Sequence, residues 1–199
     1  MAATEPIRSR EQVCAFINHY RDKGQVRNWV LTTMGVFSAL RISDILRLSC
    51  DDVYSFQSGS VRIRNTISLK EQKTEKCKRV ALNKEVIKAL KAYMPEARPG
   101  KPLILNPRTG KAISRIQAYR LIQSAAEAVG IEGKVSCHSL RKTFGYHAWK
   151  NGVSPAVIME IYNHSSLAVT RRYLGVSQSD MNEVYLGMEF NLPQKSTAS

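Results

Sequence analysis

His138-Ser139-Leu140-Arg141-Lys142-Thr143-Phe144-Gly145-Tyr146-His147-Ala148, continued by Trp149 and Lys150, reads as a helix that Gly152 stops. Its first turn sets a histidine and an arginine three positions apart, so both lie on one helical face and can reach the same phosphate. That spacing is equally met by an ordinary helix start, with His138 as a capping or core-edge side chain. The downstream residues decide between the two. Ser154 and Pro155 open a helix carrying Val157, Ile158 and Ile161, and Asn163-His164-Ser165-Ser166 ends it and begins another over 165–174. His164 lies 23 residues after Arg141, and Tyr173 nine residues after His164. A lone tyrosine there is ordinarily a core residue with its hydroxyl at the rim. The ordered set HxxR, histidine, tyrosine is more than packing requires.

Upstream, Ser114 to Val129 forms a helix ended by Gly130, and NKEVIKALKAYM, capped by Asn83, forms another that runs to Pro95. RPGKP then leads through Leu103 to Leu105 into the turn NPRTG. Between residues 51 and 83 the pattern changes. VRIRNTISL alternates in part, EQKTEKCK is polar, and KRVALN again alternates, which predicts a small antiparallel three-stranded sheet. The Lys- and Glu-rich connection has no Gly or Pro and is expected to be a solvated, mobile hairpin tip.

Near the start, Ser9 and Gln12 read as a capping box for a helix carrying Val13, Phe16, Ile17 and Tyr20 and ending at Gly24. A mostly buried helix with Trp29, Val30, Met34 and Phe37 follows over about 25–39, then a short one near Ser43 with Ile45, Leu46 and Leu48. A last helix over 178–188 shows Met181, Val184, Tyr185 and Met188 as a strip too narrow for burial within its own domain. The expected fold is mixed α+β and mainly α-helical, with helices packed around the small sheet. One domain over 9–190 is expected, flanked by flexible tails at 1–8 and 191–199.

The 199 residues are 43% hydrophobic and 23% charged, which excludes a disordered acidic chain and suits a single globular domain. With 30 Lys and Arg against 16 Asp and Glu the net charge is +14, a field that calls for a polyanion, nucleic acid first. No apolar run approaches the roughly 20 residues of a membrane span. MAATEPIRSREQ lacks a secretory signal, so a cytoplasmic location is expected, on the nucleoid when DNA is bound. Cys14, Cys50, Cys77 and Cys137 form no CxxC pair, and His19, His138, His147 and His164 form no HExxH, so neither disulfides nor a metal site is expected.

ALRISDIL sets Arg41 at a helix entrance with Asp44 three residues on. As a surface ion pair this contributes about 0 to 1 kcal/mol. Facing the second half of the chain, Arg41 becomes a second guanidinium for the same phosphate, oriented by Asp44.

The four elements ALRISDIL, KTEKCKRVAL, HSLRKTFGYHA and NHSSLAVTRRYL resemble, in order and spacing, the catalytic domain of the tyrosine recombinases, or phage integrase family, over about 8–187. The resemblance implies Arg41 and Arg141 as the catalytic arginines and Asp44 as the acidic residue supporting the first. It implies Lys73 as the mobile lysine (Lys76 if the hairpin register differs), His138 with Arg141 as the HxxR pair, His164, and Tyr173 as nucleophile. A phosphodiester repels nucleophiles, so an enzyme without a metal must offer fixed positive charge to the pentacoordinate transition state. A phenol, with an ordinary pKa near 10, needs cations or a base, here His138, to attack at neutral pH. The departing 5′-hydroxyl needs a proton, a task for Lys73.

The implied activity is site-specific recombination through a covalent 3′-phosphotyrosyl intermediate, with integration, excision or inversion as outcomes and no metal or nucleotide cofactor. The implied partners are double-stranded DNA with a specific target site, three further copies of the chain in a homotetramer on paired sites (a monomer when free), and directionality factors; no membrane is implied. Base readout is expected from Arg115, Gln117 and Arg120, with phosphate contacts from Lys111 and Lys142; solvated helix residues are the plain alternative. Two positions depart from the family: Ala39 and Asn163 stand where glycine is common. No separate N-terminal core-binding domain is expected in the chain, either because the recombinase is minimal or because this is the catalytic portion of a longer one. Two alternatives stay open: a type IB topoisomerase-like enzyme that relaxes DNA, and a catalytically silent DNA-binding regulator of the same fold.

Overall fold

The Ser9 hydroxyl accepts the backbone N–H of Gln12 and starts α1 (Arg10–Asp22), whose Val13, Phe16, Ile17 and Tyr20 face inward at helical spacing. A computed structural model describes residues 4–57 and 60–188 of the chain. Helix α2 (Val26–Phe37) is buried throughout from Asn28 to Val36 and forms the spine on which α1, α5 (Lys84–Tyr93) and α7 (Cys137–Lys150) pack. Gly35 allows one of these contacts: a Cβ there would overlap the Leu140 side chain of α7.

Ala39, in the left-handed region at φ 54°, turns the chain out of α2. Arg41, in extended backbone, then caps α3 (Ile42–Arg47). Helix α4 (Cys50–Val53) is closed by a Ser49–Asp52 capping box.

The expected three-stranded sheet is instead two separate two-stranded antiparallel ribbons. Strand β1 (Tyr54–Gln57) pairs with β2 (Ser60–Ile63), and β3 (Thr66–Lys70) pairs with β4 (Cys77–Ala81). The stretch VRIRNTISL breaks at Arg64 and Asn65. Arg64 N–H still bonds back to Val53 C=O, whereas Asn65 C=O already accepts from Leu82 N–H, so the two ladders meet without sharing a strand. In the second ribbon Ile67 faces Val80 and Leu69 faces Lys78. Period-2 alternation therefore carries its inner face from apolar residues onto Glu71 and Lys78.

Asn83 caps α5 (Lys84–Tyr93), which lies on α2. The segment through Leu103, Ile104 and Ile113 is buried and turns at Gly110. Helices α6 (Arg115–Ala128), α7 (Cys137–Lys150), α8 (Pro155–Tyr162), α9 (Leu167–Leu174) and α10 (Gln178–Leu186) complete the fold, with serine N-caps at Ser114, Ser136, Ser154, Ser166 and Ser177. A small second core of Ala39, Ile158, Tyr162 and Leu174, flanked by Phe144, Trp149 and Tyr173, holds α8 and α9 against α7.

The N-terminal residues expected to form a loose tail are packed from Pro6 on. Ile7 is 2% exposed and its N–H donates to the Thr143 hydroxyl, while Arg8 reaches Asp180 and the Gly175 carbonyl. The expected C-terminal tail at 191–199 lies outside the described residues. No helix among the described residues is long and apolar enough to cross a membrane.

Candidate active site

Five side chains from four separate parts of the chain line one cavity of about 420 Å³: Arg41, Lys73, His138, Arg141 and Tyr173. Ile42, Ser43, Gln72, Arg115 and Cys137 complete its wall. The convergence follows from the fold. The left-handed turn at Ala39 delivers Arg41, the α2–α7 contact at Gly35 positions the first turn of α7, and the second core seats α9 with Tyr173.

Arg141 is 1% exposed and held by backbone. One terminal nitrogen donates to Ala39 C=O and the other to Tyr162 C=O at 2.9 Å, while Nε has no hydrogen-bond partner among the described residues. Its guanidinium lies over the Tyr162 ring at 4.3 Å and is 5.8 Å from the Tyr173 ring centroid. The Tyr162 hydroxyl in turn donates to Arg141 C=O at 2.5 Å, in space left free by Gly145. Burial first, and Arg41 second, bring the Arg141 guanidinium down to about 10, still fully protonated at neutral pH.

The His164 ring packs at a tilt against Tyr173 and Tyr162, centroids 4.8 Å and 4.9 Å away, with Nδ1 3.1 Å from the Thr170 hydroxyl. Burial, then the charges of Arg141 and Arg41, pulls its imidazole down to about 4, so it is neutral at physiological pH. His138 is also lowered, by loss of water and then by Arg115, Arg141, Lys142 and Arg41.

The hairpin tip departs from the solvated segment expected. Gln72 and Lys73 are exposed, but Glu71 is 1% exposed. One carboxylate oxygen of Glu71 lies 2.9 Å from an Arg41 nitrogen and 3.9 Å from Lys78 Nζ. The other accepts from the Thr74 hydroxyl at 2.7 Å and the Asn163 amide at 3.0 Å. Burial raises the Glu71 pKa, yet these hydrogen bonds and cations outweigh it and hold the carboxyl below its ordinary value. Asp44, expected to orient Arg41, instead accepts the Gln72 backbone N–H at 3.0 Å and so braces the hairpin; the carboxylate paired with Arg41 is Glu71. Lys78, which no motif in the sequence singles out, is buried beside this pair. Burial, and then Arg141, take its amine down to about 8 against the opposing pull of Glu71.

The other expected residues are dispersed. Lys76 is exposed and away from the cavity lining. Arg115 lies in the cavity wall, beside Ile116, which is 64% exposed, and Tyr119 in an adjoining groove. The Gln117 side chain accepts Ser114 N–H in a capping box, Lys142 donates to Thr4 C=O, and Lys111 and Arg120 are exposed. Both departures from the family pattern sit in left-handed backbone, Ala39 at φ 54° and Asn163 at φ 52°, a conformation glycine adopts freely and asparagine far more readily than alanine.

The phage integrase family model matches residues 9–180. A probable integrase/recombinase of Bacillus subtilis, YoeC, is 35% identical over 185 residues, covering 93% of this chain and 97% of that protein. The tyrosine recombinase XerD of Mycobacterium tuberculosis is 30% identical over 170 residues, 81% of this chain and 52% of XerD; the chain spans about half the length of such relatives. Among solved structures, XerA recombinase superposes with a TM-score of 0.74 at 23% identity over 92% of this chain and 66% of XerA. XerH bound to its difH substrate gives 0.73 at 22%, over 92% and 52%. The chain belongs to the phage integrase family, the tyrosine recombinases, enzymes of site-specific DNA recombination. These relatives do not favour a topoisomerase or a silent regulator.

Proposed function

We infer that this chain cuts and rejoins DNA at a specific site with Tyr173 as nucleophile. The observation that carries this reading is the shared cavity, in which the guanidinium groups of Arg41, Arg141 and Arg115, a lysine, a histidine and a phenol surround space for one phosphodiester. Arg41 and Arg141 neutralise the charge that builds on the phosphorane oxygens. His164, neutral and with its Nδ1 held 3.1 Å from the Thr170 hydroxyl, sits beside Tyr173 as a further polar group for the phosphate. His138, unprotonated at neutral pH, accepts the phenol proton.

The Tyr173 oxygen bonds to phosphorus, the bond to the 5′-oxygen breaks, and Lys73 supplies the proton that makes the leaving group a hydroxyl. The 3′-phosphotyrosyl ester keeps the free energy of the broken bond, so a 5′-hydroxyl of another strand reverses the step and completes exchange.

Arg115, Ile116 and Tyr119 near the start of α6 extend the site towards a groove, with Lys111 and Arg120 on phosphates. The strip Met181, Val184, Tyr185 and Met188 is exposed, which supports docking of α10 on a neighbouring protomer in a tetramer assembled on paired sites.

A nicked suicide duplex carrying the target, incubated with the protein in EDTA, tests the reaction. Covalent protein–DNA adduct is expected from the wild type and none from Tyr173→Phe. Lys73→Ala should slow adduct formation by about 10²- to 10⁴-fold. Unchanged adduct from Tyr173→Phe overturns the assignment.

A further inference from the structure

Beneath the cavity lies a buried set of charges that phosphoryl transfer at Tyr173 does not use in full. Glu71 and Asp44 are each 1% exposed, as is Arg141, and the side chains of Lys78 and Arg41 are 8% and 14% exposed. Three cations and two carboxylates are thus enclosed together. Asp44 Oδ1 accepts from the hairpin backbone at Gln72, and its Oδ2 is buried with no hydrogen-bond partner among the described residues. Glu71 is the hub: one oxygen is fixed by Thr74 and Asn163, and the other is divided between Arg41 at 2.9 Å and Lys78 at 3.9 Å.

That division is loose. The Arg41 nitrogen, the Glu71 oxygen and Lys78 Nζ are all buried, and none completes a well-aligned hydrogen bond. Lys78 does not line the cavity and borders a different groove with Phe37, Ser38 and Asn163. Its contact with the site runs through Glu71, 3.9 Å from its Nζ. A buried carboxylate stripped of its counter-ion is strongly unfavourable. A phosphate arriving at Arg41 competes with Glu71 for the same guanidinium, and Glu71 then needs another cation.

We propose that Lys78 is a positioning residue that takes over as counter-ion of Glu71 and so releases Arg41 to the scissile phosphate. The proposal rests on the reading that the cavity accepts a phosphodiester. Without Lys78, Glu71 keeps its hold on Arg41 in the free protein and phosphate binding weakens, while DNA that has drawn Arg41 off Glu71 reacts at a little-altered rate. Removing Glu71 as well lifts the competition, so Lys78 becomes dispensable.

Single-turnover adduct formation on the suicide duplex, measured against protein concentration, separates binding from the chemical rate. Lys78→Met should raise the half-saturating concentration roughly ten-fold, within the range of coupling between buried charged neighbours, and leave the saturated rate within about three-fold. Lys78→Arg should restore binding. The double variant Glu71→Gln/Lys78→Gln should match Glu71→Gln within about three-fold, and because it removes one charge of each sign it keeps the comparison available if Lys78→Met does not fold.

A double variant that binds as poorly as Lys78→Met, or ten-fold worse than Glu71→Gln, overturns the proposal. So does a Lys78→Met defect that lies in the saturated rate and is repaired by a bridging 5′-sulfur leaving group, which needs no proton and would make Lys78 the acid. An unaffected Lys78→Met also overturns it while leaving the recombinase reading intact. That reading itself fails only if the wild type forms no adduct or Tyr173→Phe forms it equally well.

Discussion

Asn163 holds two separable contributions, and two substitutions at that one position divide them. Its backbone is left-handed at φ 52°, and its amide donates to the buried Glu71 carboxylate at 3.0 Å. An alanine in that conformation costs about 1 kcal/mol, whereas glycine adopts it freely. A hydrogen bond to a charged group contributes about 1.5 to 3 kcal/mol, and the lower end applies because Asn163 is only half-buried. Asn163→Ala should therefore destabilise by about 2 to 3 kcal/mol, and Asn163→Gly by about 1 to 2 kcal/mol. For a chain of this size each kcal/mol moves the melting temperature by about 2 to 4 °C. Urea unfolding with an unchanged m-value, alongside thermal melts, is the assay. If Asn163→Gly is as stable as the wild type, the amide contributes nothing to Glu71. If the two variants unfold together, the left-handed turn is no constraint.

The same packing sets other expectations. Gly145→Ala forces a methyl into the Tyr162 hydroxyl and should cost about 1 to 3 kcal/mol, with loss of adduct formation as Arg141 is displaced; a fully active variant in the suicide assay contradicts this. His138, His147 and His164 all have folded pKa values below their ordinary 6.5, so the unfolded chain binds more protons as pH falls. Stability in urea should decline from pH 6.5 towards the His164 value of about 4, and His164→Gln should flatten that slope. Asp180 accepts from Ser177 N–H and pairs with Arg8 and Lys150, anchoring α10. Asp180→Asn should speed amide exchange over 178–186 without accelerating it in α2; uniform acceleration argues against a local anchor.

The helices were legible because their ends carry local chemistry: Ser9, Asn83, Ser114 and Ser154 cap them, and Gly24, Gly130 and Gly152 come just after their last turns. The ribbons were less so. Alternation shows which side chains share a face, but the switch of partner at Arg64 and Asn65 depends on long-range pairing with Val53 and Leu82. The side chains that line the cavity were marked by the HxxR, histidine and tyrosine spacing and by the family resemblance, whereas Glu71 was not. It sits in a charged hairpin that reads as solvent-facing, and its partners Arg41 and Asn163 are distant in the chain. Lys78 did leave a signal: it shares the inward phase of Val80 on β4 and of Leu82 just after it, a lysine in a core position. Ala39 and Asn163 stand out in the sequence as departures from glycine, but their left-handed backbone emerges only from the fold.

The central claim is that Tyr173 attacks a phosphodiester held between Arg41 and Arg141. Protease digestion of the trapped adduct, followed by mass-spectrometric mapping of the residue bearing the nucleotide, tests it most directly. The account predicts a 3′-phosphate on the Tyr173 oxygen and on no other residue; the nucleotide on Tyr185, Tyr162 or any non-tyrosine side chain contradicts it.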